Sequence, residues 1–244
     1  MRVLAYGPQE VGSEMPLDPL IRFLLSGICH QASTHCLHFG GRPLPLCARC
    51  TGMFLGATLA LFGLWGMGQG RRSRLPPWRL GLALAALASV WAVDGANSFL
   101  FTVERALALY RPSNILRLIS GMGMGLALGV VLYPVYHVAF WRRVDERRVL
   151  DEAWRFSLLA LAGILVVMGI LCWRSAPYAL WFWLITAAVF FVFSFVNACL
   201  VSLLWHRRGF AVRWWQVVPY FAMGLMLSLL EMSTMALLRR LLLV

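Results

Sequence analysis

Between Ile28 and Gly52 the chain reads ICHQASTHCLHFGGRPLPLCARCTG, and this segment holds four of the six cysteines and three of the five histidines. Cys47 and Cys50 form a CxxC. Two thiolates at that spacing bind one tetrahedral metal or close into a small redox disulfide, and a helix starting there would lower a thiol pKa in either case. Cys29 with His30 beside it, then Cys36 and His38, bring the supply above the four ligands that a structural zinc site requires. The set expected to hold a zinc-type ion is Cys29, Cys47 and Cys50 with His30 or His38. Gly40 and Gly41 offer a turn that folds the segment back, and Pro43 and Pro45 stiffen the approach to the CxxC. A structural disulfide, a redox pair and inert buried thiols are the competing states. Cys172 and Cys199, inside apolar stretches without cysteine neighbours, read as packing residues.

The elements that must position these ligands are membrane helices. The chain is 61% hydrophobic and 13% charged, with a mean hydropathy of +0.75, outside the range of soluble globular domains. A span needs about 20 predominantly apolar residues, and the sequence offers six such stretches, near 50–68, 78–103, 115–140, 153–173, 178–206 and 215–238. Lipid offers the backbone no hydrogen-bond partner, so all six are expected to be helices, an all-α integral membrane fold. Residues 16–28 are too short to span and read as an interfacial or re-entrant helix that delivers Cys29 to the membrane surface. The preceding residues, with an early proline and two acids, do not read as a cleavable signal peptide. Three regions follow: a Cys/His segment over 1–49, a three-span half over 50–140 and a second three-span half over 141–244.

The net charge of +12 comes entirely from arginine. The arginines lie mainly at span ends, which fits anionic lipid headgroups and argues against nucleic acid as a partner. Arg71, Arg72, Arg74 and Arg79, then Arg142, Arg143, Arg147, Arg148 and Arg155, then Arg207, Arg208 and Arg213 fall in loops on one side. The positive-inside rule puts those loops in the cytoplasm and the cysteine segment outside a multi-pass cell membrane. Trp78, Trp141, Trp154, Trp173, Trp205, Trp214 and Trp215 sit at expected span ends, as interfacial rings do, and His137 and His206 read as interfacial residues too. Gly52 and Gly56 in span one, and Gly121, Gly125 and Gly129 in span three, are spaced to let two backbones meet.

Span parity gathers a second constellation on the cysteine side. Span two ends in SVWAVDGANSFLFTVER, which places Asp94, Asn97, Glu104 and Arg105 there, and span three opens with PSNILRLISG, where Ser113 is a cap and Asn114, Arg117 and Gly121 follow at helical spacing. A carboxylate inside a span costs ~2.5 to 3.5 kcal/mol on insertion scales, so Asp94 needs a partner, either Arg117 or Arg49. That partner makes it a register-fixing ion pair or part of a site in which Asp94, Arg49, Asn114 and Arg117 do the chemistry. Glu231 in span six is a weaker case.

The motifs CHQ (Cys29, His30, Gln31), PLCARCTG (Pro45 to Gly52), DG (Asp94, Gly95) and N-x-x-R-x-x-x-G (Asn114, Arg117, Gly121) together resemble domain-of-unknown-function family 2085, prokaryotic membrane proteins, over roughly residues 25–135. The resemblance implies that both constellations belong to one site. Cys36 and His38 fall outside its pattern, which favours Cys29, His30, Cys47 and Cys50 as the metal ligands. It implies no activity, and nothing in it carries over to Glu231.

Three functions fit these readings. One is a zinc-type metal site that covers a polar intramembrane pocket and serves a lipid or isoprenoid-type substrate. Another is a membrane thiol-disulfide oxidoreductase coupled through the CxxC to a quinone, with Cys29 and Cys36 as its second pair. The last is a non-catalytic subunit of a membrane complex. The sequence leaves enzyme or non-enzyme, and oligomeric state, undecided.

Overall fold

The structure, a computed structural model, describes residues 17–173, 175–205 and 209–243. The N-terminal stretch read as lacking a cleavable signal, and His206, lie outside these residues. Six helices are long and apolar enough to cross a membrane: α2 (Ala48–Gly66), α3 (Trp78–Val103), α4 (Asn114–Phe140), α5 (Ala153–Cys172), α6 (Tyr178–Leu204) and α7 (Val218–Leu243). The expected all-α membrane architecture is present.

At the centre, α2 lies against α4. The reason is the pair of glycine ladders. A Cβ on Gly52 would stand 2.3 Å from the Leu118 carbonyl oxygen, on Gly56 2.6 Å from that of Met122, and on Gly121 2.1 Å from that of Arg49. Only residues without a Cβ permit this approach, and in lipid such packing, rather than hydrophobic burial, holds helices together. Around this pair, α6 packs on α2 and α7 on α6, with Gly224 of α7 against the Ser194 carbonyl of α6.

Before the first span, α1 (Asp18–Ser26) buries Ile21 and Leu25, and Gly27 at its end approaches the Met232 carbonyl of α7. The chain then forms a hairpin that the helical reading did not foresee. β1 (Cys36–Phe39) pairs antiparallel with β2 (Arg42–Cys47), turning at Gly40 and Gly41, both at positive φ. The turn is the one their residue types suggest, and each proline of β2 lacks only an N–H that a two-stranded edge can spare.

At the opposite face, β3 (Arg72–Arg74) and β4 (Asp145–Arg148) pair in parallel. Arg72 donates to Asp151 Oδ1 at 2.6 Å and to the Arg148 carbonyl at 2.9 Å, so the charged connection Trp141–Trp154 is tied to the preceding loop. His137 and Trp141 lie at the end of α4, as expected, but are buried within the protein at 3% and 1% exposed, and Cys172 is exposed rather than packed. Hydropathy alone does not report which face of a helix turns inward.

Candidate metal centre

β2 ends on Cys47, which is also the N-cap of α2. The hairpin therefore feeds directly into the first turn of the span, and Cys50 follows one turn on. Cys29 arrives from the other direction, after α1, and accepts a hydrogen bond from the Cys47 backbone N–H at 3.3 Å. One ligand atom each from Cys29, His30 and Cys47 lie within 4.8 Å of one another. Cys50, one turn into α2, is near enough to act on the Cys29 and Cys47 thiols. The neighbouring Cys29 and Cys50 thiols hold the Cys47 thiol below its ordinary range, and Cys47 in turn pushes Cys29 up to about 11. Cys29, Cys47 and the His30 imidazole beside a helix N-terminus, with Cys50 one turn on, form a soft donor set of the type that takes zinc in tetrahedral geometry.

Of the two candidate histidines, the structure brings His30 to the sulfurs, whereas His38 is exposed on β1. His35 was not singled out in the sequence. Its Nδ1 lies 2.7 Å from His30 Nε2, and burial, then the Arg117 guanidinium, lowers its pKa. This contact holds the orientation of the His30 ring, as outer-shell partners of metal-ligating histidines do. Cys36 is 1% exposed and stands opposite Cys47 in the hairpin register; burial pushes its thiol up to about 12.

Two side chains hold the backbone around these ligands. Gln31 of the CHQ motif adopts φ 51° and donates from Nε2 to the carbonyls of Arg22 and Pro45, both at 3.0 Å, clamping the Cys29 loop to β2. Arg239 of α7 donates to the carbonyls of Ser26, Cys29 and His30 at 2.9, 2.8 and 3.1 Å. No spacing rule linked Arg239 to a segment two hundred residues earlier.

The second constellation lies directly beneath. Arg49, between the two CxxC cysteines, donates to Asp94 Oδ2 from Nε at 3.0 Å and from Nη2 at 2.5 Å, and also reaches the Asp94 carbonyl and Ser98 Oγ. Arg49, not Arg117, is thus the partner of Asp94. The carboxylate also accepts from Tyr110 Oη at 2.8 Å and Ser120 Oγ at 3.3 Å. Arg117 donates to Asn114 Oδ1 at 2.8 Å, and Asn114 Nδ2 donates to the carbonyls of Thr34 and Cys36. Asn97 Oδ1 accepts from the backbone of Leu109 and Tyr110. Asp94, Asn97, Asn114 and Arg117 thus lie toward the cysteine segment, where span parity put them, and the structure adds Ser98, Tyr110 and Ser120 to their hydrogen bonds. A serine one turn after Asp94, on the same helix face, was a readable signal; Tyr110, on a loop, was not. Arg105 lies exposed over the Phe101 ring. Glu231 of α7 accepts from Asn197 Nδ2 of α6 at 2.9 Å.

Residues 29–131, which contain both constellations, match the family model described as "Predicted membrane protein (DUF2085)", so the resemblance drawn from the motifs is borne out. An uncharacterized protein of Methanothermobacter thermautotrophicus is 27% identical over 112 residues, spanning 46% of this chain and 89% of that relative. No solved structure matches. The matched segment ends within α4 and leaves α5, α6 and α7 outside it.

Proposed function

We propose that this is a metal-binding polytopic membrane protein whose zinc-type ion is held by Cys29, Cys47 and Cys50, with His30 as fourth donor. The observation that carries the reading is the approach of the Cys29, His30 and Cys47 ligand atoms to within 4.8 Å, with Cys50 following one turn into α2. The bound ion supplies a four-way crosslink that ties the segment after α1 to the mouth of α2. Because Arg49, Asp94, Ser98, Tyr110 and Ser120 direct their hydrogen bonds to one another, and Arg117 bonds Asn114, the layer below the ion works as a lock between spans. Arg49 and Arg117 are thereby engaged within the protein rather than turned to a lipid or isoprenoid phosphate. The task this supports for the ion is structural. By the positive-inside rule the site faces the extracytoplasmic side of the cell membrane.

One observation favours a second reading, a thiol-disulfide oxidoreductase. Cys36 faces Cys47 across the hairpin, so four thiols, enough for two pairs, stand together. Metal analysis of the purified protein separates the readings. About one zinc per chain, lost in Cys47→Ser and in Cys50→Ser, is the expected result. A metal-free protein carrying a reducible Cys47–Cys50 disulfide would overturn it. Maleimide labelling of the segment in intact cells tests the side, and labelling only after lysis reverses it.

A further inference from the structure

Arg117 is 6% exposed, yet among the described residues it forms no ion pair with a carboxylate. Its hydrogen bond goes to a neutral amide, from Nη1 to Asn114 Oδ1 at 2.8 Å. Asp94, whose charge reaches it, is already bound by two nitrogens of Arg49. A buried guanidinium left without an anion is strongly unfavourable, so a further negative charge is expected within its reach. The fold offers one. Arg117 lies one turn before Gly121, where a Cβ would stand 2.1 Å from the Arg49 carbonyl oxygen, so its backbone is level with the first turn of α2. Helical side chains lean toward the N-terminus, here toward the hairpin. Asn114 donates to the Cys36 carbonyl at 3.2 Å, and Cys36 is paired with Cys47. Arg117 is close enough for the charge of Cys47 to act on it, and its own charge acts on His35.

We propose that Arg117 is the counter-cation of the metal centre, setting its affinity through charge without touching the ion. The proposal rests on the metal reading above. A divalent ion held by three thiolates and one neutral imidazole carries a single net negative charge. Cys29 and Cys47 are buried, where water screens that charge little. One buried guanidinium without a carboxylate matches it in sign and in number. Arg49 cannot serve, because Asp94 already balances it. Arg239 reaches the Cys29 and His30 carbonyls, but it is half-buried and open to screening by water. Two thiolates with two imidazoles would make a neutral complex and leave Arg117 unmatched, so the guanidinium favours the set with three sulfurs. Its presence also favours the deprotonated thiols, and therefore the metal over protons, at the mouth of α2.

The test is the zinc affinity of the full-length protein in phosphatidylcholine nanodiscs, measured by competition with a chromophoric chelator, for the wild type, Arg117→Met and Arg117→Lys. The methionine variant keeps an unbranched side chain and removes the charge, and it is expected to bind zinc about tenfold more weakly or worse. The lysine variant keeps the charge and loses the planar fork, and it should stay within about threefold of wild type. Should Arg117→Met not fold, Arg117→Gln, which retains a donor for Asn114, takes its place with the same weakening expected. Unchanged affinity in the neutral variant would overturn the proposal. Equal weakening in the lysine and neutral variants would overturn it too, because a role confined to holding Asn114 depends on the fork and not on the charge. A wild-type protein that takes no zinc would instead overturn the metal reading itself, and this proposal with it.

Discussion

Gly125→Ala is expected to destabilise the protein by about 3 kcal/mol or more, the upper end of what overpacking a rigid contact costs. A Cβ there would lie 2.1 Å from the Met53 carbonyl oxygen and 2.8 Å from the Ala57 backbone nitrogen. Both atoms are backbone of α2 and cannot rotate away as a flexible side chain would. The two helices must separate, and the displaced α2 carries Cys47 and Cys50 with it, so metal affinity should fall in the same variant. Gly169→Ala is the control: it lies in α5 with nothing within 4 Å of the added carbon, and alanine is the better helix former by roughly 0.5–1 kcal/mol. Thermal unfolding of both variants in one detergent measures the difference. Equal melting temperatures would show that the central helix pair does not depend on this backbone contact.

Asp94→Ala should cost about 3–5 kcal/mol, the penalty for leaving the partner of a buried ion pair uncompensated. Asp94 is 2% exposed and is the acceptor shared by Arg49, Tyr110 and Ser120. The position matters because of what α3 lacks. Over its 26 residues α3 buries Leu84, Asp94, Asn97 and Ser98 and little else, so its attachment at the cysteine face is almost wholly polar. Without Asp94 the Arg49 guanidinium has no anion, and α3 loses its main tie to α2. The double variant Arg49→Met with Asp94→Leu should recover most of the loss, since replacing both charges by apolar groups of similar volume is often neutral. A double-mutant cycle in unfolding free energy checks this. Coupling near zero between the two positions would remove the ion pair from the account of stability.

These expected results show where sequence reasoning reached and where it stopped. Hydropathy located six spans to within a few residues, because a bilayer imposes length and apolarity on each segment independently. The glycine ladders were readable for a similar reason: a residue without a Cβ every fourth position has one geometric use at helix contacts. Parity of the spans gathered Asp94, Asn97, Asn114 and Arg117 at the cysteine face without any coordinates. The partner of Asp94 stayed open between Arg49 and Arg117, since the two lie on different helices whose relative rotation decides the matter. His35, Gln31 and Arg239 act through backbone carbonyls and a ring edge, and such contacts leave no signature in residue type.

For the opening cysteine and histidine segment the same division holds. Residue chemistry alone determined that soft ligands converge on the mouth of a span, and the motif resemblance favoured Cys29, His30, Cys47 and Cys50 among them. Only the tertiary structure decided that His30 rather than His38 meets the sulfurs, that Cys36 stands in register with Cys47, and that the carboxylate below is bound by the arginine inside the CxxC. Sequence fixes which groups a segment offers. The hairpin register and the phase of each helix, set by long-range backbone contact, fix which of them touch.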